Sequence, residues 1–293
     1  MKKIFLILFV LLVNLQADKK LHVATTIYPV YDALKNIAGA DVTIDRVIPF
    51  SQDVHEFSPT PKDVIKIVNV DIFFYSGAGL DDFLLRFRDK KLAYDLSEGL
   101  KLHEADEDEH HHHGEHEDEE DVDAHYWLDI DLYIEVVKKI AAYLVNADKV
   151  NAATYNKRAN AYVKELQELK KRYATTLKEC KNDTVVVNHN AYGYLAQEYD
   201  FKVHSLAGAS SHARGSAKNM KEAIEHLKGT KNPIIFGEPF GSNRAIETVA
   251  AESGAKVKTL ETLANVTKKQ ENESYISLMQ NNLALLKEAL DCK

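Results

Sequence analysis

Between Asp148 and Glu179 the chain carries neither glycine nor proline. Tyr162, Leu166, Leu169, Tyr173 and Leu177 mark one apolar stripe through this stretch at steps of three and four. The spacing predicts a single helix of about thirty residues, on the order of 45 Å long at the α-helical rise. That is longer than a helix covering one sheet needs, and it is long enough to cross from one body to another. Whatever lies before and after it must be arranged around its two ends.

On both sides strands and helices alternate. Residues 21–27 are β-branched and apolar, and Pro29 then opens a helix that Gly39 ends. Residues 42–47 alternate as a strand should. Residues 61–68 read as a helix, with Thr60 as its cap, Pro61 at its first position and Asp63 three residues after the cap. A short apolar strand at 71–75 runs into Gly77-Ala78-Gly79, a helix is expected over 80–88, a strand over 92–96 and a helix over 131–145. Beyond the long helix, strands at 184–188, 202–206, 233–236 and 256–259 alternate with helices at 191–199, 216–228, 242–253 and 274–290. Short connections between alternating elements imply mostly parallel sheets covered on both faces. The expected fold class is α/β, with two Rossmann-like lobes bridged by the long helix. The boundaries are a leader at 1–17, a first lobe at 18–147, the linking helix at 148–180 and a second lobe at 181–293.

The leader reads MKKIFLILFVLLVNLQA. Lys2 and Lys3 precede a short apolar run, and Ala17 ends a plausible cleavage site, so a secretory signal peptide is expected. The run is too short to span a bilayer, although an uncleaved anchor is the alternative. Export makes a disulfide between Cys180 and Cys292 the simplest reading, with two free thiols as the other. Such a bridge would contribute roughly 2–4 kcal/mol.

The formal net charge of -8 is concentrated in one place. Residues 103–123 hold many acids and no Lys or Arg, and the remainder of the chain is close to neutral. No basic stripe points to nucleic acid. Within the insert stand His110, His111, His112, His113 and His116. A polyanion of this composition buries nothing and is expected to be disordered. Its expected role is local capture of cations, and a solvated spacer is the blander alternative.

Single histidines fall elsewhere at telling places. His55 follows a strand and precedes a capped helix. His125 sits between the insert and a helix. His189 follows a β-run directly. In open α/β sheets such connections converge on the binding crevice. Three imidazoles suit zinc and leave one tetrahedral position for a carboxylate or water. Spacing alone also allows three unrelated surface histidines.

The words around them narrow this. GADVTIDRVIPFSQDVHEFSPTPKDV, DAHYWLDI and VNHNAYGYLAQEYDF resemble the three metal-ligand motifs of the zinc-uptake solute-binding proteins of ABC transporters. IIFGEPFGSNRAIETVAAESGAKVKTLETL resembles that family's distal motif, and the likeness covers essentially the mature chain. The resemblance implies two α/β lobes joined by a long rigid helix, with the metal in the cleft between them. It makes His55, His125 and His189 zinc ligands. In manganese-binding relatives a carboxylate takes the place of His189, and harder oxygen donors suit that ion. Glu261 falls where relatives place an acidic fourth ligand; a loop carboxylate with water completing the shell is the alternative. Glu56 is a lesser candidate, and Glu238 is expected to be a hydrogen-bonded acid near the cleft. The segment GASSHARGSAKNM departs from the family by holding His212 and Arg214. His204 and His212 are expected to be ordinary polar residues, His22 and His226 to have surface or strand-end roles, and Trp127 to pack a lobe interface.

The function implied is that of a monomeric periplasmic receptor that delivers Zn2+ to an inner-membrane ABC permease and catalyses nothing. Two alternatives stand beside it: a manganese-type receptor or adhesin of the same fold, and a three-histidine zinc hydrolase that activates water.

Overall fold

A computed structural model describes residues 20–87, 92–104, 122–207, 216–240 and 243–293. The expected leader, His110 to His113, His116, His212 and Arg214 lie outside the described residues.

Strands β1 (Leu21–Thr25), β2 (Val42–Arg46), β3 (Ile72–Tyr75) and β4 (Ala93–Asp95) form a parallel sheet in the order β2-β1-β3-β4. Strands β5 (Thr184–Val187), β6 (Lys202–Ser205), β7 (Ile234–Gly237) and β8 (Lys256–Thr259) repeat that pattern as β6-β5-β7-β8, again all parallel. The helices are α1 (Tyr28–Ala38), α2 (Pro61–Val68), α3 (Ile130–Ala147), α4 (Ala152–Thr176), α5 (Gly193–Tyr199), α6 (Ala217–Gly229), α7 (Arg244–Ser253) and α8 (Tyr275–Ala289). The two-lobed α/β class expected from the alternation is the class observed.

Local chemistry explains most boundaries. Helix α2 has the full capping box: Thr60 accepts from the Asp63 N–H, and the Asp63 carboxylate accepts from the Thr60 N–H at 3.1 Å. Ser216 and Ser274 cap α6 and α8 through their hydroxyls. Gly39 ends α1 at φ 57°, where a side chain would be strained. The helix expected over 80–88 is instead a 3-10 run, Asp82–Phe87. The acids that would open it are turned backwards: Asp81 accepts from the N–H groups of Ser76 and Gly77, and Asp82 from that of Gly79.

The connector α4 is 25 residues long, about 37 Å, shorter than its glycine-free stretch suggested. Asp148 explains the loss at its start. Its carboxylate accepts the N–H groups of Val150 and Asn151, each at 3.1 Å, and the hydroxyl of Tyr155. This turn divides α3 from α4. The predicted stripe is buried, with Tyr162, Leu166, Leu169 and Tyr173 each nearly inaccessible. Burying side chains of this size stabilises by roughly 1.5–3 kcal/mol apiece. α4 packs against α1, α3 and α8, so it lies along both halves. One apolar core runs without a break from Val23 in β1 to Leu290 beyond α8, and a smaller one lies around α6 and α7. Cys180 and Cys292 form the expected disulfide across a sequence separation of 112. No helix among the described residues is long and apolar enough to cross a membrane.

Candidate metal centre

His55, His125 and His189 meet. Each offers one ligand nitrogen, and these nitrogens all lie within 4.8 Å of one another. The ring centroids form a nearly equilateral triangle with sides of 5.5, 5.5 and 5.9 Å. His125 and His189 are 3% and 1% exposed, while His55 faces solvent. This is the one group of three or more potential ligands found among the described residues.

Sheet register places the first ring. β5 pairs with β7 so that Val187 stands opposite Phe236. Two residues further along each strand come His189 and Glu238, side by side at the carboxyl ends of the two central strands. That is the switch point of a β6-β5-β7-β8 sheet, where ligands of open α/β folds bind. The Glu238 carboxylate accepts from His189 Nδ1, and both side chains are buried. His189 Nε2 is buried with no hydrogen-bond partner.

The second ring is held the same way. Asp123 Oδ1 accepts the His125 backbone N–H at 2.9 Å and lies 2.7 Å from His125 Nδ1. A carboxylate at Nδ1 fixes the proton on that nitrogen and turns the Nε2 lone pair outwards, the usual device behind a metal-binding imidazole. His125 opens a 3-10 turn, Tyr126–Leu128, in which Trp127 is fully buried. The Trp127 indole N–H donates to the Thr262 carbonyl at 2.8 Å, and the Tyr275 hydroxyl donates to the Trp127 carbonyl at 2.6 Å. Trp127 thus packs between the halves, as expected.

The third ring depends on a segment that leaves β8 and crosses to the first half. Asn265, 1% exposed, uses its whole amide there. Its Nδ2 donates to the carbonyls of Pro49 at 2.6 Å and Gln52 at 2.8 Å, and its Oδ1 accepts from Arg46 at 2.5 Å and from the Val266 N–H at 2.8 Å. Ser51 N–H donates to the Val266 carbonyl, and Lys268 N–H to Ser51 Oγ. The loop carrying His55 is therefore stitched to residues 265–268. Arg46 lies over the Phe50 ring at 3.9 Å.

Glu261 stands outside the group of three. Its Oε1 accepts from Gln270 at 2.8 Å, while Oε2 is buried with no hydrogen-bond partner. Burial lifts this carboxyl above its ordinary range, and the Gln270 bond opposes the lift. The buried phenol of Tyr192 is held well above its usual value by burial first, then by the charges of Glu238 and Glu261. One ring therefore senses both acids. Glu56 is exposed and outside the group. His204 Nε2 lies 2.9 Å from the Asn219 carbonyl, and His22 Nε2 lies 2.9 Å from Asp45, so both have structural partners. The grip of Asp123 on His125 was missed in the sequence; an acid two residues before a candidate ligand was its only signal.

Known proteins share this sequence and fold. The high-affinity zinc uptake system protein ZnuA of Bacillus subtilis is 35% identical over 92% of this chain and 88% of its own. The zinc-binding lipoprotein AdcA of Streptococcus pneumoniae is 33% identical over 94% of this chain, which spans only 57% of that longer protein. The crystal structure of the Zn(II)-bound ZnuA-like domain of the same AdcA superposes with a TM-score of 0.76 at 31% identity, covering 93% of this chain and all of that one. These relatives are named as uptake and binding proteins, not as enzymes. A family match over residues 23–289 takes in both sheets, the connector and all three histidines, and the chain belongs to that family: ZnuA, the periplasmic zinc-uptake complex component A.

Proposed function

We propose that the protein is a periplasmic zinc receptor that captures Zn2+ with high affinity and hands it to an inner-membrane ABC permease. Zinc is cargo, bound through Nε2 of His125 and His189 together with His55. The observation that carries this reading is the convergence of three imidazoles, two of them locked at Nδ1 by carboxylates, the buried Glu238 and the partly buried Asp123. Tetrahedral ligands at zinc bond lengths stand about 3.4 Å apart. The nitrogens lie within 4.8 Å, so small rotamer adjustments complete the shell. Three imidazole donors favour zinc over manganese.

Glu261 is the proposed fourth ligand. Its Oε2 is buried without a partner, and a cation is what a buried carboxylate lacks. With that position closed no water remains to be activated, so no catalysis is assigned. The receptor acts as a monomer after loss of residues 1–17. Its lobes are taken as 18–147 and 181–293, with 148–180 as the link. The insert histidines His110 to His113 and His116, with their acids, gather ions for transfer to the centre. Their affinity is weaker than that of the three-histidine centre, where two rings are already held in place by carboxylates.

The test is zinc affinity measured by competition with a chelator, for the wild type and His189→Ala. Tight one-to-one binding by the wild type and a loss of several orders of magnitude in the variant are expected. Equal affinities would refute the ligand set.

A further inference from the structure

The carboxylates that grip the histidine rings must themselves be held. Glu238 directly follows β7, and the sheet fixes it. Asp123 has no strand beneath it. Just before it, Val122 forms a single antiparallel bridge with Glu104, and the Asp123 N–H donates to the His103 carbonyl at 2.9 Å. These contacts close the base of the acidic insert. They would leave that base free to swing if nothing else touched it.

Tyr194, the second residue of α5, supplies the missing anchor from the other half of the molecule. Its hydroxyl donates to the Asp123 carbonyl at 2.7 Å and accepts the His103 N–H at 3.1 Å. Its ring lies flat on the His103 imidazole, with centroids 4.0 Å apart and planes within 15°. Tyr194 is fully buried. The preceding residue also shapes this contact. A Cβ on Gly193 would stand 3.2 Å from Asp123 Oδ2, so only glycine leaves that oxygen undisturbed.

We propose that Tyr194 is a positioning residue for metal binding, acting from the second lobe through Asp123 on the His125 ring. The inference rests on the reading of His55, His125 and His189 as zinc ligands. Asp123 bonds both the backbone and the ring of His125, so a displaced Asp123 takes the imidazole with it. The stretch from His189 to Tyr194 then supplies one ligand directly and orients a second. Two ligands from opposite lobes owe their relative position to one short segment of chain.

The experiment is a double-mutant cycle on the full mature chain, reading zinc affinity by chelator competition and thermal stability of the zinc-free protein. Tyr194→Phe keeps the ring on His103 and removes only the hydroxyl. It should weaken zinc about tenfold, in the range seen when outer partners of metal ligands are lost. In an Asp123→Asn background the same change should cost little more, because the route through Asp123 is already broken. Gly193→Ala, which presses on Asp123 Oδ2 and leaves the hydroxyl in place, should also weaken zinc and serves if the phenylalanine variant folds poorly. Wild-type affinity in both Tyr194→Phe and Gly193→Ala would overturn the proposal, as would an undiminished loss in the Asp123→Asn background. A drop in thermal stability with unchanged affinity would make Tyr194 merely structural. A wild type without a tight zinc site would instead overturn the receptor reading itself.

Discussion

Replacing Glu238 isolates the effect of orienting a ligand from that of being one. The side chain makes one important contact, accepting from His189 Nδ1, and both partners are buried. The backbone at 238 is held separately, by Asn243, whose amide exchanges bonds of 3.4 and 3.3 Å with the Glu238 N–H and carbonyl. A substitution should therefore leave the chain path intact and act on the ring. Glu238→Gln keeps a carbonyl acceptor and loses the charge. It should weaken zinc about tenfold, or ~1.4 kcal/mol. Glu238→Ala leaves Nδ1–H buried and unpaired. Its loss should approach about a hundredfold, ~2.7 kcal/mol, and the zinc-free protein should lose about 1–3 kcal/mol of stability. Chelator competition gives the first pair of numbers and urea unfolding of the zinc-free protein the second. If both variants bound zinc like the wild type, a carboxylate on Nδ1 would be irrelevant to the site, and the same reasoning for Asp123 would fall with it.

Other perturbations test separate parts of the molecule. Glu261 titrates above its ordinary 4.5 because it is buried. The folded state then holds this proton to higher pH than the unfolded state, so its contribution is complete below about pH 4.5 and is lost as pH rises through the folded value. Glu261→Gln should stabilise the zinc-free protein at neutral pH and not at pH 4, while weakening zinc; an equal effect on unfolding at both pH values would contradict the assignment. Asn265→Ala removes four hydrogen bonds from a buried amide and should cost about 2–4 kcal/mol of stability, together with zinc affinity, through the His55 loop. Thermal unfolding that matches the wild type would dismiss the clamp. Excising residues 105–121 should abolish weak zinc sites in calorimetry and keep the tight one, provided His103, Glu104, Val122 and Asp123 are spared. Cys180→Ser with Cys292→Ser opens a loop of 112 residues and should lower stability by up to about 4–5 kcal/mol, with zinc affinity preserved.

Much of this was legible in the sequence because it is local. The Thr60 box, the helix starts at Ser216 and Ser274, and the β-branched runs of β5 and β7 each depend on neighbours a few residues away. The three histidines were legible for a related reason: each follows a strand or opens a helix, and parallel sheets gather such places. What stayed hidden depends on register and on contacts across the fold. Nothing in the sequence states that Val187 faces Phe236, yet that pairing brings Glu238 to His189. Nothing marks Asn265 as the partner of Pro49 and Gln52, more than two hundred positions away. The long helix was overread at its start because Asp148, a weak helix former that favours caps and turns, spends its carboxylate on the turn before α4.

The unbroken core has a consequence for how this chain can be divided. Its hydrophobic interior passes from β1 through α3 and α4 to α8, and Leu260, Leu263, Ala264 and Val266 lie inside it. A cut within the connector would leave each piece with a raw apolar face where the other had been. The halves should therefore fail as separate polypeptides, and a protease that reached α4 would end the receptor's life in one step.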